Sequence, residues 1–280
     1  MTVHDVQSTL FFPLLGRAEA SRRWPAVFSD PWAVDRAEEI ARTEETSARS
    51  LGTGPAAVYG LRHAITLAEI RRYLRSHPGA AIVNVGCGLD QLAPDLAGEL
   101  GEPRTPGTST IYNLDYPEVL SMRARWVDAA EGEVDLPYSA TDHRWMDEVD
   151  GSRGMIAIAA GVFYYLEVHE VRALVTAMAE RFPGGRLAYD SESPFVIRQS
   201  ERSVRRGGVA EAPMPFKVSD PFAARGWSDK VRDVRVEFNF TRYLPKAQRG
   251  KLPLGIRAFF AFMQRIRGMY EVVVDFAEEI

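Results

Sequence analysis

Cysteine is nearly absent from this 280-residue chain, in which Cys87 stands alone. A single thiol excludes an intrachain disulfide and a cysteine-rich metal site, so no metal is expected, and it fits a reducing, cytoplasmic location. Basic charge is not in excess either. With a formal net charge of -4, the chain lacks the basic face that a nucleic-acid binder carries, and the cluster from Arg202 to Arg206 reads as a solvated helix face. Long apolar runs are also missing. The longest, Met155 to Leu166, falls well short of a membrane span. The N-terminus holds His4 and Asp5 in place of a basic segment, and Pro13 breaks its apolar patch from Leu10 to Leu15, so no signal peptide is read there. There is no internal repeat and no low-complexity segment. What remains is an ordinary globular composition, 46% apolar and 26% charged, sufficient for one large domain or two small ones.

The chain is organised around Ala81-Ile82-Val83-Asn84-Val85-Gly86-Cys87-Gly88-Leu89-Asp90. The run is short and rich in β-branched residues, and it follows the breakers His77-Pro78-Gly79, so it reads as a buried parallel strand entering a tight turn. Gly86 and Gly88 permit left-handed angles and a close approach of a ligand to the backbone. The same pattern also serves as a compact strand-to-helix turn.

Further strands are expected at Thr110 to Asp115, Val134 to Ala140, Met155 to Ala160 and Arg186 to Asp190. Helices are expected at Leu92 to Leu100, from Pro117, after Asp142-His143 and at Glu167 to Phe182, with a loop at 102–107. This alternation implies an α/β fold with a mostly parallel sheet and helices on both faces. Residues 1–76 read as an N-terminal helical cap integral to the domain. It has a cap at Asp30-Pro31 and a long helix from Ala56 to Ser76, on which Arg62 and His63 flank an apolar stripe. Residues 77–280 form the core, with a lid insertion around 194–226 whose most mobile part is expected at Pro213 to Pro221. Strands at Val231 to Thr241 and Tyr270 to Phe276, joined through an amphipathic segment from Ile256 to Arg267, predict an antiparallel C-terminal pair.

The loop after the first strand selects among nucleotide-like ligands. A dinucleotide fingerprint requires a third glycine where Gln91 stands, and Asp90 and Asp95 place negative charge where a pyrophosphate would sit. A ligand with a positive centre and no phosphate suits that turn better, and S-adenosylmethionine is one. Asp115 ends the second strand and can accept from both hydroxyls of a ribose, or cap the next helix. Asp142 can accept from an adenine amine, or cap the segment before Trp145.

In order along the chain stand Leu14-Leu15-Gly16-Arg17-Ala18, Asp30-Pro31-Trp32-Ala33, Arg62, His77-Pro78 with Ile82 to Asp90, Asp115-Tyr116-Pro117-Glu118-Val119 with Arg123, Asp142 with Trp145, and Gly161-Val162-Phe163-Tyr164-Tyr165-Leu166. This series, over roughly residues 9 to 192, resembles the leucine carboxyl methyltransferase family, in particular its bacterial branch of tetracenomycin-type O-methyltransferases. The resemblance implies a class I methyltransferase (Rossmann-like) fold, with S-adenosyl-L-methionine as methyl donor and S-adenosyl-L-homocysteine as product. It places Arg17 and Arg62 toward the donor's carboxylate, Gly86, Cys87 and Gly88 at the close-approach loop, and Asp115 with Tyr116 at the ribose. Asp142 and His143 fall at the adenine, Ala160 and Gly161 at the turn after the fourth strand, and Tyr165 toward the substrate. Two positions depart from the family pattern: Gln91-Leu92 replaces Thr-Arg, and Ala160 replaces an acid.

The implied reaction is O-methylation of a small-molecule carboxylate or phenol, in a setting such as polyketide metabolism, with Tyr164 and Tyr165 as orienting candidates and no general base identifiable. Two other readings compete with it. One is a non-catalytic S-adenosylmethionine-binding or partner-binding module, and the other an NAD(P)-dependent oxidoreductase, disfavoured by Gln91. Neither the acceptor nor the oligomeric state is legible in the sequence.

Overall fold

The computed structural model describes residues 3–43, 52–101, 107–206 and 213–278, with side chains described from residue 10 and not over 203–206. Three helices come first: α1 (Val3–Arg23), α2 (Pro31–Thr43) and α3 (Thr53–Leu74). They are followed by β1 (Ala81–Val85), α4 (Ala97–Leu100), β2 (Ile111–Asp115), α5 (Pro117–Trp126), β3 (Glu133–Pro137) and β4 (Met155–Ala159). Then come α6 (Val168–Arg181), β5 (Arg186–Glu192), α7 (Pro194–Arg206), β6 (Val231–Glu237), α8 (Lys246–Arg249), α9 (Leu254–Arg265) and β7 (Met269–Phe276).

The seven strands form one sheet in the order β3-β2-β1-β4-β5-β7-β6. The first five run parallel, and β7 lies antiparallel between β5 and β6. The chain reverses direction across the sheet between β1 and β4, and ligands bind beyond the carboxyl ends of the strands at such a point. The loops after β1, β2 and β4 meet there.

Both faces of the sheet's centre are covered, which is why β1 and β4 read as mostly apolar runs. On one face Val83, Leu114, Ala157, Leu187 and Val272 pack with Trp145 and with Val171, Leu174, Val175 and Met178 of α6. On the other, Ile82, Ile156, Ile158, Ala188 and Val273 pack under Leu67, Ile70 and Leu74 of α3. Helix α3 spans the strands lengthwise. Its Arg62 meets Asp190 near the end of β5, while its Tyr73 hydroxyl donates to the Gly184 carbonyl at 3.0 Å and accepts from Met155 N–H at 3.2 Å near the strand starts. The expected cap at Asp30 is present: it accepts from Ala33 N–H at 2.8 Å, with Pro31 opening α2.

Several elements differ from expectation for local reasons. The helix expected over Leu92 to Leu100 is a 3-10 turn (Pro94–Leu96) and a single α turn, because Pro94 removes a donor and Gly98 adds backbone freedom. Strand β3 stops at Pro137, which cannot donate to a ladder. Strand β6 stops at Glu237, before a 3-10 turn at Phe240–Tyr243. Strand β5 runs two residues past Asp190 because β7 pairs with it as far as Glu192 and Met269. The segment from Pro213 to Pro221 is fastened, with Met214 and Phe216 buried and Lys217 held by Glu201 at 2.8 Å. Arg202 is exposed as expected. Residues 102–106 of the expected loop, and the Arg205 and Arg206 side chains, lie outside those described.

Candidate functional site

The glycine loop folds over the end of β2. Gly86 and Cys87 N–H both donate to the Leu114 carbonyl, at 2.7 and 3.2 Å, and Gly86 and Gly88 adopt φ of 63° and 48°. A Cβ on Gly86 would lie 2.5 Å from Val162 Cγ2. The missing side chain of Gly86 makes room for Val162 of the β4 loop. Cys87 is buried, and burial pushes its thiol well above the usual range, so it is an inert packing residue.

Asp115 accepts from Gly88 N–H at 2.9 Å and from Tyr116 N–H at 2.8 Å. The helix-cap alternative does not hold, since Tyr116 is the residue at the N-cap of α5 and no side chain caps that end. Burial raises the Asp115 carboxyl above its ordinary value, against the backbone donors. Each of its oxygens keeps a further lone pair. Tyr116 stands beside it, 46% exposed. Asp142 does act as a cap, accepting from Arg144 N–H at 3.3 Å, and it also pairs with the Arg144 guanidinium. That pairing holds its carboxyl at about 2. His143 next to it is exposed.

The two arginines each already have a carboxylate. Buried Arg17 pairs with Asp30 at 3.2 Å and with Asp90, lies 3.2 Å from His63 Nδ1 and stacks over Trp32. His63 in turn bonds Asp95 at 3.0 Å, and burial keeps its imidazole below its usual value. Asp90 and Asp95 are thus paired acids. They do not form the bare negative turn expected from the sequence, and the stronger obstacle to a pyrophosphate is that no sizeable helix starts there.

Arg62 donates to Asp190 Oδ2 through Nε at 3.0 Å and Nη2 at 2.7 Å. Although burial opposes its charge, Asp190 holds the guanidinium firmly protonated. Asp190 also accepts from Gly161 N–H at 2.6 Å and from the Tyr164 hydroxyl at 3.0 Å. Gly161 has φ of 76°, and a Cβ there would meet Arg62 Nη1 at 3.1 Å. Ala160 carries no acid, and Asp190 supplies a carboxylate to the same turn from the neighbouring strand. Tyr164 is therefore a core residue tied to this hub. Tyr165 is half-buried beside it, and burial lifts its hydroxyl to about 12.

Sequence reasoning missed Asp190 and Glu192 as site residues. A signal existed: β5, like β2, ends in carboxylates just where strands present ligand-binding groups. A cavity of about 780 Å³ lies elsewhere, between α3 and the segment 235–249. Most of its arginines are already paired, Arg72 and Arg235 with Glu69 and Arg242 with Glu237.

Three relatives place this geometry. A protein of Thermobifida fusca named as a candidate methyltransferase superposes with a TM-score of 0.57 over 96% of this chain and 94% of its own, at 14% identity. The fold is that of a class I methyltransferase. A DUF574 family protein of Streptomyces avermitilis matches with a TM-score of 0.56, 12% identity and 92% and 96% coverage. In sequence, the tetracenomycin polyketide synthesis O-methyltransferase TcmP of Streptomyces glaucescens is 26% identical over 132 residues. That stretch is 47% of this chain and 46% of TcmP, so the chain matches less than half of that relative's length. TcmP is of the branch that the sequence motifs resemble. No family model matches the chain.

Proposed function

We propose that this protein is an S-adenosylmethionine-dependent O-methyltransferase acting on a small molecule that presents a hydroxyl or a carboxylate. The observation that carries the reading is Asp115. It stands at the carboxyl end of β2 beside the chain reversal, fixed by two backbone N–H groups, with lone pairs left for a ribose diol. The loop with positive φ at Gly86 and Gly88, the exposed ring of Tyr116 and the absence of a long helix after the loop fit a nucleoside without a pyrophosphate. Asp142, anchored by Arg144, is the candidate for the adenine amine, with His143 beside it. Arg17 and Arg62 carry the positive charge that suits the donor's carboxylate.

When bound, the donor supplies a methyl group on a positively charged sulfur. The chain's own part is to position and to exclude water. The Arg62–Asp190 hub fixes Gly161 and Tyr164, Tyr165 borders the acceptor side, and Ile197 and Met214, from the described part of the proposed lid, pack against Tyr164. The partner is a small methyl acceptor, and the TcmP relationship supports natural-product chemistry. Among the described residues no helix is long and apolar enough to cross a membrane.

Calorimetric titration with S-adenosylhomocysteine, followed by transfer of labelled methyl to a panel of phenols and carboxylic acids, tests the reading. Binding with turnover supports it. Binding without turnover across the panel favours a non-catalytic module, and stabilisation by NAD or NADP in place of S-adenosylhomocysteine favours an oxidoreductase.

A further inference from the structure

Resting on that reading, we infer that Glu192 is the proton acceptor for a hydroxyl-bearing substrate, which makes a phenol the preferred acceptor over a carboxylate. Asp190 and Glu192 are two residues apart on β5 and so project to the same face at the strand's carboxyl end. Their engagement is opposite. Asp190 receives Arg62 twice, Gly161 N–H and the Tyr164 hydroxyl. Among the described residues, Glu192 receives one side-chain donor, the Ser200 hydroxyl at 2.9 Å on Oε2, which leaves Oε1 for a substrate proton.

The surroundings suit that task. Tyr59 and Arg62 of α3, Tyr164 and Tyr165 after β4, Asp190 on its own strand and Tyr270 of β7 are the titratable groups coupled to Glu192. Glu271 faces Asp190 in register, and burial keeps it protonated well above the usual range. Tyr164, Ile197 and Met214, with Tyr165 against them, supply an apolar wall. Burial lifts the Glu192 carboxyl to about 7, close to the pH at which a general base is most effective. A carboxylate acceptor would instead bring a further negative charge against Asp190 and Glu192. His63 is no rival, being engaged by Asp95.

The step balances. The substrate O–H gives its proton to the Glu192 carboxylate while the oxygen lone pair forms the new bond to the methyl carbon. The carbon–sulfur bond breaks with its electron pair going to sulfur, so the positive charge that entered on sulfur leaves as the proton on Glu192 and then passes to water.

Naphthol and naphthoic acid, similar in shape, are the probe acceptors, assayed with wild type, Glu192→Gln and Glu192→Asp. S-adenosylhomocysteine titration and thermal melting confirm that each variant folds and binds donor. Naphthol turnover is expected to fall about 100-fold or more in Glu192→Gln, with loss of the limb that rises through pH 7, and to recover partly in Glu192→Asp. Naphthoate is expected to be the poorer wild-type substrate. The Glu192 carboxyl, followed by infrared difference against Glu192→Gln with S-adenosylhomocysteine bound, is expected to titrate near neutrality. Titration in the ordinary glutamate range overturns the assignment whether or not naphthol is turned over, as does an unchanged pH limb in Glu192→Gln. Absence of S-adenosylhomocysteine binding in wild type overturns the methyltransferase reading itself, a separate result.

Discussion

Two strands of the sheet carry an aspartate at or near the carboxyl end, and the two carboxylates are used in opposite ways. Asp115, at the end of β2, is held only by backbone N–H groups, those of Gly88 and Tyr116. Asp190, two residues before the end of β5, is saturated by side chains and backbone drawn from α3, the β4 loop and the turn beyond it. The first retains a lone pair on each oxygen. The second spends its capacity inside the fold, tying the N-terminal helices to the sheet. One is equipped for a ligand and the other for architecture, although sequence context alone makes them look alike.

The largest way to break this contrast is Asp190→Ala. It leaves the Arg62 guanidinium buried without its partner and the Tyr164 hydroxyl and Gly161 N–H without an acceptor. Stability is expected to fall by about 3–5 kcal/mol, read from urea unfolding, and Arg62→Ala should fall in the same range. Next in size is a pH effect at Glu192. Its carboxyl is raised in the folded protein from an ordinary 4.5 to about 7, so between those values the native state holds more protons than the unfolded chain. Stability from this group is therefore full below pH 4.5 and is lost as pH rises to about 7, by on the order of 3 kcal/mol. The melting temperature of Glu192→Gln should gain on wild type across that window. A parallel pH dependence in the two proteins would place the Glu192 carboxyl in the ordinary range.

How legible each carboxylate was follows from how local its partners are. The β1 strand, its glycine turn and Asp115 are close in sequence and carry period and breaker signals, so they could be read directly. Asp190 depends on Arg62, 128 residues away, and no local pattern reports such a pairing. The same distance hid the carboxylates of this chain that Arg17 and Arg62 hold, Asp30 and Asp90 for the first and Asp190 for the second. The paired state of Asp90 and Asp95 was hidden too, since it needs Arg17 and His63 from two different helices. The helix expected after Gln91 failed for a local reason that was visible: Pro94 and Gly98 sit inside it. Glu192 was missed because the strand was ended too early. Only pairing with β7, far along the chain, carries β5 past Asp190.

The smallest effects on folding, and the most selective for function, are expected at Asp115 and Asp142. Asp115→Ala removes an acceptor from two N–H groups at the edge of the opening, which water can serve, so the loss of stability should be about 1 kcal/mol. Donor-site binding should suffer more. Two hydrogen bonds to a charged acceptor are worth about 1.5–3 kcal/mol each, so S-adenosylhomocysteine affinity should drop at least about tenfold by calorimetry, with Asp115→Asn keeping part of it. Asp142→Asn sharpens the comparison from the other side. Its carboxylate is already occupied by Arg144, so the substitution should change affinity less than Asp115→Ala does. If the order is reversed, the adenine end rather than the ribose end dominates donor binding, and the role of leading recognition residue passes from β2 to the loop after β3.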